Sequence, residues 1–340
     1  ELEGFPGVIN SDNFDCIFED LCPDESNATV MSYRDGLADD RAVVTQSPGD
    51  ELAGHPARAA FSRCNSVTEA RYRCRRFEID GNTLRSPLGA GKLTGRNYPG
   101  GYLDVAETVD PDGHEVLTFT DFRGFKVLER RVLDAAAFLD TYYVYDPWGN
   151  PRVVIQPEGA ARLDPDGESW SVTTDGTLLD YAFIYEYDEC MRVVSKKLPG
   201  CEPVRYCYDR CGQLAFSQDG NLRDEGRRMF YLYDTAGRPT MTGLCDAPST
   251  WAVYTDTAMI SSRADNRAID KTYYSAPVHL GNPKMLNAWY YDTYINLPDH
   301  YYDLSVVRHG LLTISSSALM PPVGDQDRIV TSNYYDWEDR

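Results

Sequence analysis

An all-β fold built from repeated antiparallel hairpins is predicted by three features of this 340-residue sequence. Tyrosine is over-represented, with 24 Tyr against 12 Phe and 5 Trp. A frame of two tyrosines one residue apart, closed by aspartate, recurs along the middle of the chain. Turn formers are plentiful, with 26 Gly and 20 Pro. Tyr suits a pleated, half-buried surface, where its ring packs and its hydroxyl still finds a partner. The 42% hydrophobic content is that of a folded chain.

Four copies of the frame fall between residues 143 and 237. They are Tyr143, Tyr145, Asp146 and Gly149; Tyr185, Tyr187 and Asp188; Tyr206, Tyr208, Asp209 and Gly212; and Tyr231, Tyr233, Asp234 and Gly237. Met191 stands where the second copy should carry glycine, so a tighter or differently built turn is expected there. Phe119-Thr120-Asp121, with Gly124, is a degenerate fifth copy. Tyrosines at i and i+2 point to one face of a strand, because strand side chains alternate. Aspartate then opens a turn by accepting backbone N–H groups. Glycine three residues on supplies the left-handed residue that follows a type I turn and opens a bulge. Each copy therefore reads as strand, tight turn, strand. The aspartates step by 25, 42, 21 and 25 residues. Since 42 is twice 21, an unmarked hairpin is expected between, near Thr173 to Gly176.

This frame resembles the YD repeat of the RHS family, which also includes wall-associated proteins, the C components of insecticidal toxin complexes and the teneurins. The resemblance is strongest over 100–240, in TFTDFRGFKVLERR (118–131), YVYDPWGNPRVVIQPEG (143–159) and YEYDECMRVVSKKLPGCEPVRYCYDRCGQLAFSQDG (185–220). It is patchier over 280–340, around LNAWYYDTY (286–294). In 1–100 only Tyr33-Arg34-Asp35-Gly36-Leu37-Ala38 looks like a worn opening turn, with Arg34 and Ala38 departing from it. The resemblance implies a curved β-shell wall, in a secreted or cell-surface bacterial protein, that contains or displays a C-terminal effector or toxin. Its partners would be the rest of the same RHS chain and that effector. The self-cleaving aspartates of the family's core have no counterpart here. The expected organisation is a β-rich region with degenerate repeats over 1–100, a YD-repeat array over 101–245, an insertion or divergent repeat over 246–285, and further repeats over 286–340. Both ends read as cuts: Glu1-Leu2-Glu3-Gly4 shows no signal-peptide pattern, and Tyr334-Tyr335-Asp336 looks like another repeat opening.

The residues give little support to other chemistries. The net charge of −20 disfavours nucleic acid and anionic membranes. No apolar run approaches the roughly 18–20 residues of a membrane span. Gly89 to Thr94 hints at a phosphate loop, but Ser86 stands where glycine is needed and Leu93 replaces the metal-binding hydroxyl. Asp110-Pro111-Asp112-Gly113 and Asp164-Pro165-Asp166-Gly167 lack the further calcium ligands and read as turns. Cys190, Cys201, Cys207 and Cys211 have no zinc-knuckle spacing and are expected as buried or half-buried free thiols. The five histidines form no catalytic or metal motif. No catalytic, cofactor or metal residue is therefore nominated, and the chain is expected to be non-catalytic. The rival reading is a surface module binding carbohydrate or protein through exposed Tyr-rich strands. A solvent-facing aromatic stripe would favour binding; tyrosines stacked within the wall would favour the shell.

Overall fold

A computed structural model describes residues 30–33, 42–46, 57–89, 95–110, 112–234, 236–248, 267–269, 272–274, 280–292, 310–318 and 328–333. Expectations on 34–38, 90–94 and Tyr335-Asp336 lie outside the described residues. The fold is all-β and antiparallel, with a few short helices. The chain divides into two compact units, Glu1–Ile184 and Tyr185–Arg340.

The first unit holds strands β1 (Val30–Tyr33), β2 (Ala42–Gln46), β3 (Ala57–Cys64), β4 (Glu78–Asp80), β5 (Thr83–Arg85), β6 (Asp104–Val109), β7 (Glu115–Thr120), β8 (Lys126–Val132), β9 (Phe138–Tyr145) and β10 (Pro151–Ile155). Helix α1 (Pro157–Arg162), strand β11 (Ser169–Ser171), helix α2 (Gly176–Tyr181) and strand β12 (Ala182–Tyr187) follow. The strands β1, β2, β3, β6, β7, β8, β9, β10 and β12 pair in that order, all antiparallel. A separate sheet joins β4, β5 and β11.

This corrects the expected hidden hairpin. The 42-residue step between Asp146 and Asp188 is filled by α1, β11 and α2, after which β12 returns to pair with β10. Pro157 starts α1, where a missing N–H is harmless. The Asp175 carboxylate caps α2 by accepting from Leu178 N–H.

One face of the meander is buried. Val105, Leu117, Phe119, Leu128, Val144, Val153 and Ile155 form a core with Phe77, Leu84 and Leu178, so the small sheet and α2 cover the wall. Burial alternates along the strands, as in the last four residues of β9. Each full burial of such a side chain is worth roughly 1.5–3 kcal/mol.

A buried ion pair sits beside this core. Arg130 on β8 and Asp140 on β9 are cross-strand neighbours. The guanidinium makes a bidentate contact to both carboxylate oxygens, at 2.7 and 2.6 Å. It also donates to the carbonyls of Ala70 and Arg71, at 2.8 Å each, which pins the 3₁₀ turn Ala70–Tyr72 to the sheet.

The second unit continues with β13 (Val193–Lys197), β14 (Val204–Tyr208), β15 (Leu214–Gln218), helix α3 (Gly220–Asp224), β16 (Arg227–Tyr233), β17 (Pro239–Asp246), β18 (Arg267–Ile269), β19 (Thr272–Tyr274), β20 (Lys284–Tyr291), β21 (Leu312–Ala318) and β22 (Arg328–Ser332). Strands β13 to β17, then β20, β21 and β22, pair in that order, again antiparallel. Residues 247–283 lie between the paired strands β17 and β20 and include the β18–β19 hairpin. Phe216, Phe230, Leu232, Met241 and Met285 form this unit's core. Gly243 has a packing reason: a Cβ there would lie 2.2 Å from the Lys284 carbonyl on the neighbouring strand.

Three of the four cysteines expected to be at least half-buried are not. Cys190, Cys201 and Cys211 are exposed, and only Cys207 is buried. The exposed ones sit in turns, where side chains meet solvent. Cys207 lies between two outward tyrosines, so alternation turns it into the core.

Candidate functional site

The recurring feature of both units is the aspartate turn. In the turns of Asp121, Asp146, Asp188, Asp209 and Asp234, the aspartate N–H donates to the carbonyl four residues on, at 2.9–3.0 Å. The residue three on donates back to the aspartate carbonyl, at 2.9–3.1 Å. One carboxylate oxygen accepts the N–H of the residue four on, at 2.8–3.0 Å. Gly124, Gly149, Gly212 and Gly237 take φ of +79° to +93°. This is the type I turn with a left-handed residue that the sequence implies. Met191 does not change it. The turn keeps every bond, and Met191 adopts φ +62° in the glycine's place.

A bulge lies beside the second aromatic position at the Asp121, Asp146, Asp209, Asp234 and Asp292 turns. The register shifts at Thr120, Tyr208, Tyr233 and Tyr291, and again where Pro151 and Val153 meet β9. Bulges bend strands and increase local twist. The bulges thus recur at the same end of the frame.

The tyrosines divide by position. Between them, Val144, Cys207 and Leu232 are buried, so both rings of a copy face the other side, half-buried. The second tyrosine reaches back to the preceding hairpin. The hydroxyl of Tyr145 donates to the Lys126 carbonyl at 3.0 Å, Tyr208 to Val193 at 2.9 Å, and Tyr233 to Leu214 at 3.0 Å. In every case the acceptor lies five residues past the preceding turn's aspartate. Burial pushes all three hydroxyls above the usual tyrosine range. The first tyrosines lie against neighbouring strands. Lys126 Nζ is 4.4 Å from the Tyr143 ring centre, Lys196 Nζ is 5.9 Å from that of Tyr185, and Tyr231 shares a 3.0 Å hydrogen bond with Ser217. Tyr206, opposite Ser217 on β15, is raised by burial and by Tyr231. Tyr187 ends β12, directly before Asp188.

A second contact joins successive turns. At four of the five turns the residue four past the aspartate lies against the next repeat's second tyrosine or turn; at the fifth, Asn150 bonds its own Asp146 at 3.0 Å. The Phe125 ring stacks on Tyr145 with centres 4.9 Å apart and planes at 21°. The Arg192 guanidinium lies 4.8 Å from the Tyr208 ring centre, and that of Arg238 lies 4.3 Å from Tyr291. Gln213 donates to the Gly237 carbonyl at 3.2 Å. At Gly149 a Cβ would sit 2.7 Å from the Phe125 ring, so this turn needs glycine for space as well as for its φ. The sequence reading missed this fourth position, because Phe, Asn, Arg, Gln and Arg occupy it in turn.

Asp292 keeps the pattern across a long insertion. Its N–H donates to the Leu311 carbonyl at 3.1 Å, and its carboxylate accepts from Gly310 and Leu311. Gly310 has φ +91°, so it plays the turn glycine 18 residues downstream. Arg238 of the preceding turn donates to Asp292 at 3.2 Å.

The turn carboxylates respond to these partners. Burial opposes the charge of Asp188 and Asp234, but the backbone and guanidinium donors of Arg192 and Arg238 outweigh it and hold both carboxyls below the usual range. A depressed carboxyl adds stability above the unfolded value of about 3.9 and loses it as pH falls through the folded value. Urea midpoints are expected to stay level from about pH 7 to 5 and to fall below about pH 4. The double variant D188N/D234N should lose less between about pH 4 and 2 than the parent does.

Asp209 differs. Its Oδ2 is buried without a hydrogen-bond partner, because Gln213 faces the next turn instead. Placing arginine there copies the Asp188 and Asp234 turns. Q213R should raise stability by about 0.5–1.5 kcal/mol, read as a higher urea midpoint at unchanged m.

The rejected calcium loops are turns. Asp110 forms the same turn, with Gly113 at φ +84° and the His114 ring 2.9 Å from its carboxylate. Asp110, Asp112 and His114 are the one group among the described residues close enough to hold a cation, with ligand atoms within 4.8 Å, and all three are exposed. In the other loop, Asp164 accepts from Asp166 N–H at 2.9 Å and from Gly167 N–H at 3.1 Å.

No protein-family model matches the chain, and no curated protein does. Solved structures do align with it. Among them are chains of the Tc holotoxin pore and of TcdB2-TccC3. The TcdB2-TccC3 structure covers 92% of this chain and 15% of its own, at 12% identity and TM-score 0.39. The Photorhabdus luminescens Tc holotoxin pore covers 77% and 11%, at 11% identity and TM-score 0.36. TcdB2-TccC3 without its hypervariable C-terminal region covers 77% and 11%, at 11% identity and TM-score 0.36. This chain thus spans well under a fifth of the length of the solved chains it aligns with.

Proposed function

We infer that this chain is a non-catalytic length of an RHS-type wall, part of a larger secreted or surface protein whose C-terminal effector the wall contains or displays. The observation that carries this reading is the repeated tyrosine clip. Three second tyrosines each donate to the carbonyl at the same place in the hairpin before. Hydroxyls used in this way hold a wall together and are not free to contact a ligand. The repeat tyrosines therefore support the shell over a flat Tyr-rich binding platform. The coupling is between neighbours, so an array of any length can be propagated by the same rule.

The test uses the natural full-length product that contains this sequence. Limited proteolysis and electron microscopy should find a hollow wall and a C-terminal segment that survives digestion. Deleting residues 121–246 should expose that segment to protease. A C-terminal segment cleaved equally fast with and without the deletion would overturn the reading.

A further inference from the structure

A cleft of about 450 Å³ opens on the first unit. Small-molecule sites run from about 300 to 1,000 Å³. The buried residues Phe77, Leu103, Val127 and Val144 form its floor, with Tyr143 of β9 beside them. Arg76 and Glu78 stand on one side, Tyr98 and Tyr102 on another, and Phe122 of the first aspartate turn is at the mouth.

Two features set the cleft apart from ordinary surface. Phe122 is 91% exposed and Tyr102 is 65% exposed. The turn does not demand Phe122, since the equivalent positions of later turns carry Pro147, Glu189 and Arg210. The Arg123 guanidinium lies 5.9 Å from the Phe122 ring centre, and the remaining open ring surface of Phe122 and Tyr102 offers a ligand flat apolar faces. Two guanidiniums and two carboxylates of its lining are paired with each other, and a third carboxylate, Asp146, is taken up by its own turn, accepting from Trp148 N–H, Asn150 N–H and the Asn150 amide. Arg76 bonds Glu78, and Arg123 bonds Asp121 at 3.0 Å. A cationic ligand would meet two guanidiniums, and an anionic one would meet two carboxylates. The pairs still offer directed donors and acceptors to a neutral molecule.

A neutral molecule with apolar faces and hydroxyl edges is a sugar. An extended peptide fits less well, because β8 and β9 in the floor are hydrogen-bonded on both sides and offer no free strand edge. We propose that this cleft binds a neutral mono- or disaccharide, with Phe122 and Tyr102 against the ring faces and the Arg76–Glu78 and Arg123–Asp121 pairs on the hydroxyls.

Saturation-transfer NMR on the full chain tests this with glucose, N-acetylglucosamine, maltose, cellobiose and chitobiose, and with tetramethylammonium and acetate as charged probes. At least one sugar should receive saturation, most strongly at its ring-face protons. F122A and Y102A should each weaken its binding at least about tenfold while the circular dichroism spectrum is unchanged. Silence from all five sugars would overturn the proposal. So would equal transfer in parent and variants, or binding of a charged probe in place of the sugars.

Discussion

Replacing Asp234 by alanine is expected to cost about 2–4 kcal/mol of stability. The carboxylate accepts from Ala236 N–H at 2.9 Å, from Arg238 N–H at 2.8 Å and from Arg238 Nε at 2.6 Å. Alanine removes both acceptor oxygens with their three bonds and leaves the Arg238 N–H, in a half-buried turn, without its partner. The guanidinium keeps Asp292, which limits the loss. Asn should cost less, because its amide oxygen still accepts the backbone bonds. Urea unfolding checks this, with m compared between variants. A loss under about 0.5 kcal/mol for D234A would mean that the turn forms without its carboxylate.

The other large effect lies in the first unit. D140A is expected to cost about 3–5 kcal/mol, because it leaves Arg130 charged and buried without its carboxylate. Arg130 is 5% exposed. Burial works against its charge, but hydrogen bonding and attraction to Asp140 more than offset that. The pair, once formed, need not be worth as much as its rupture costs. Replacing both residues together, as R130M/D140L, should therefore be milder than D140A alone. If the double variant is the worse of the two, the carbonyl bonds to Ala70 and Arg71 matter more than the ion pair.

The turns were legible because their grammar is local. Aspartate accepts, glycine turns left-handed, and alternation puts Val144, Cys207 and Leu232 inward and the tyrosines outward. Met191 was misread for an instructive reason. The carboxylate of Asp188 and the two strands hold the turn, so a residue that dislikes positive φ adopts it anyway. The stretch between Asp146 and Asp188 was misread because α1 and α2 have six residues each, too short for a helical period to register. The Asp175 cap is a usable helix signal, but aspartate before glycine signals a hairpin turn equally well.

The contacts between turns were not legible at all. They join residues about 15 to 54 apart through side chains of different chemistry, and only their common place four or five residues past an aspartate unites them. The Arg130–Asp140 pair was invisible for a similar reason, since a chain with 53 acidic residues offers many candidate pairs and no pattern picks this one.

The central claim is that, within a unit, a turn grips the next through its fourth residue, which meets the next turn's second tyrosine at Phe125, Arg192 and Arg238. A double-mutant cycle on Phe125 and Tyr145, with F125A, Y145A and the double variant unfolded in urea, measures that grip across one repeat boundary. The account predicts a coupling of about 0.5–1.5 kcal/mol. Losses that simply add, to within about 0.3 kcal/mol, would contradict it and leave the hairpins joined by their backbone ladders alone.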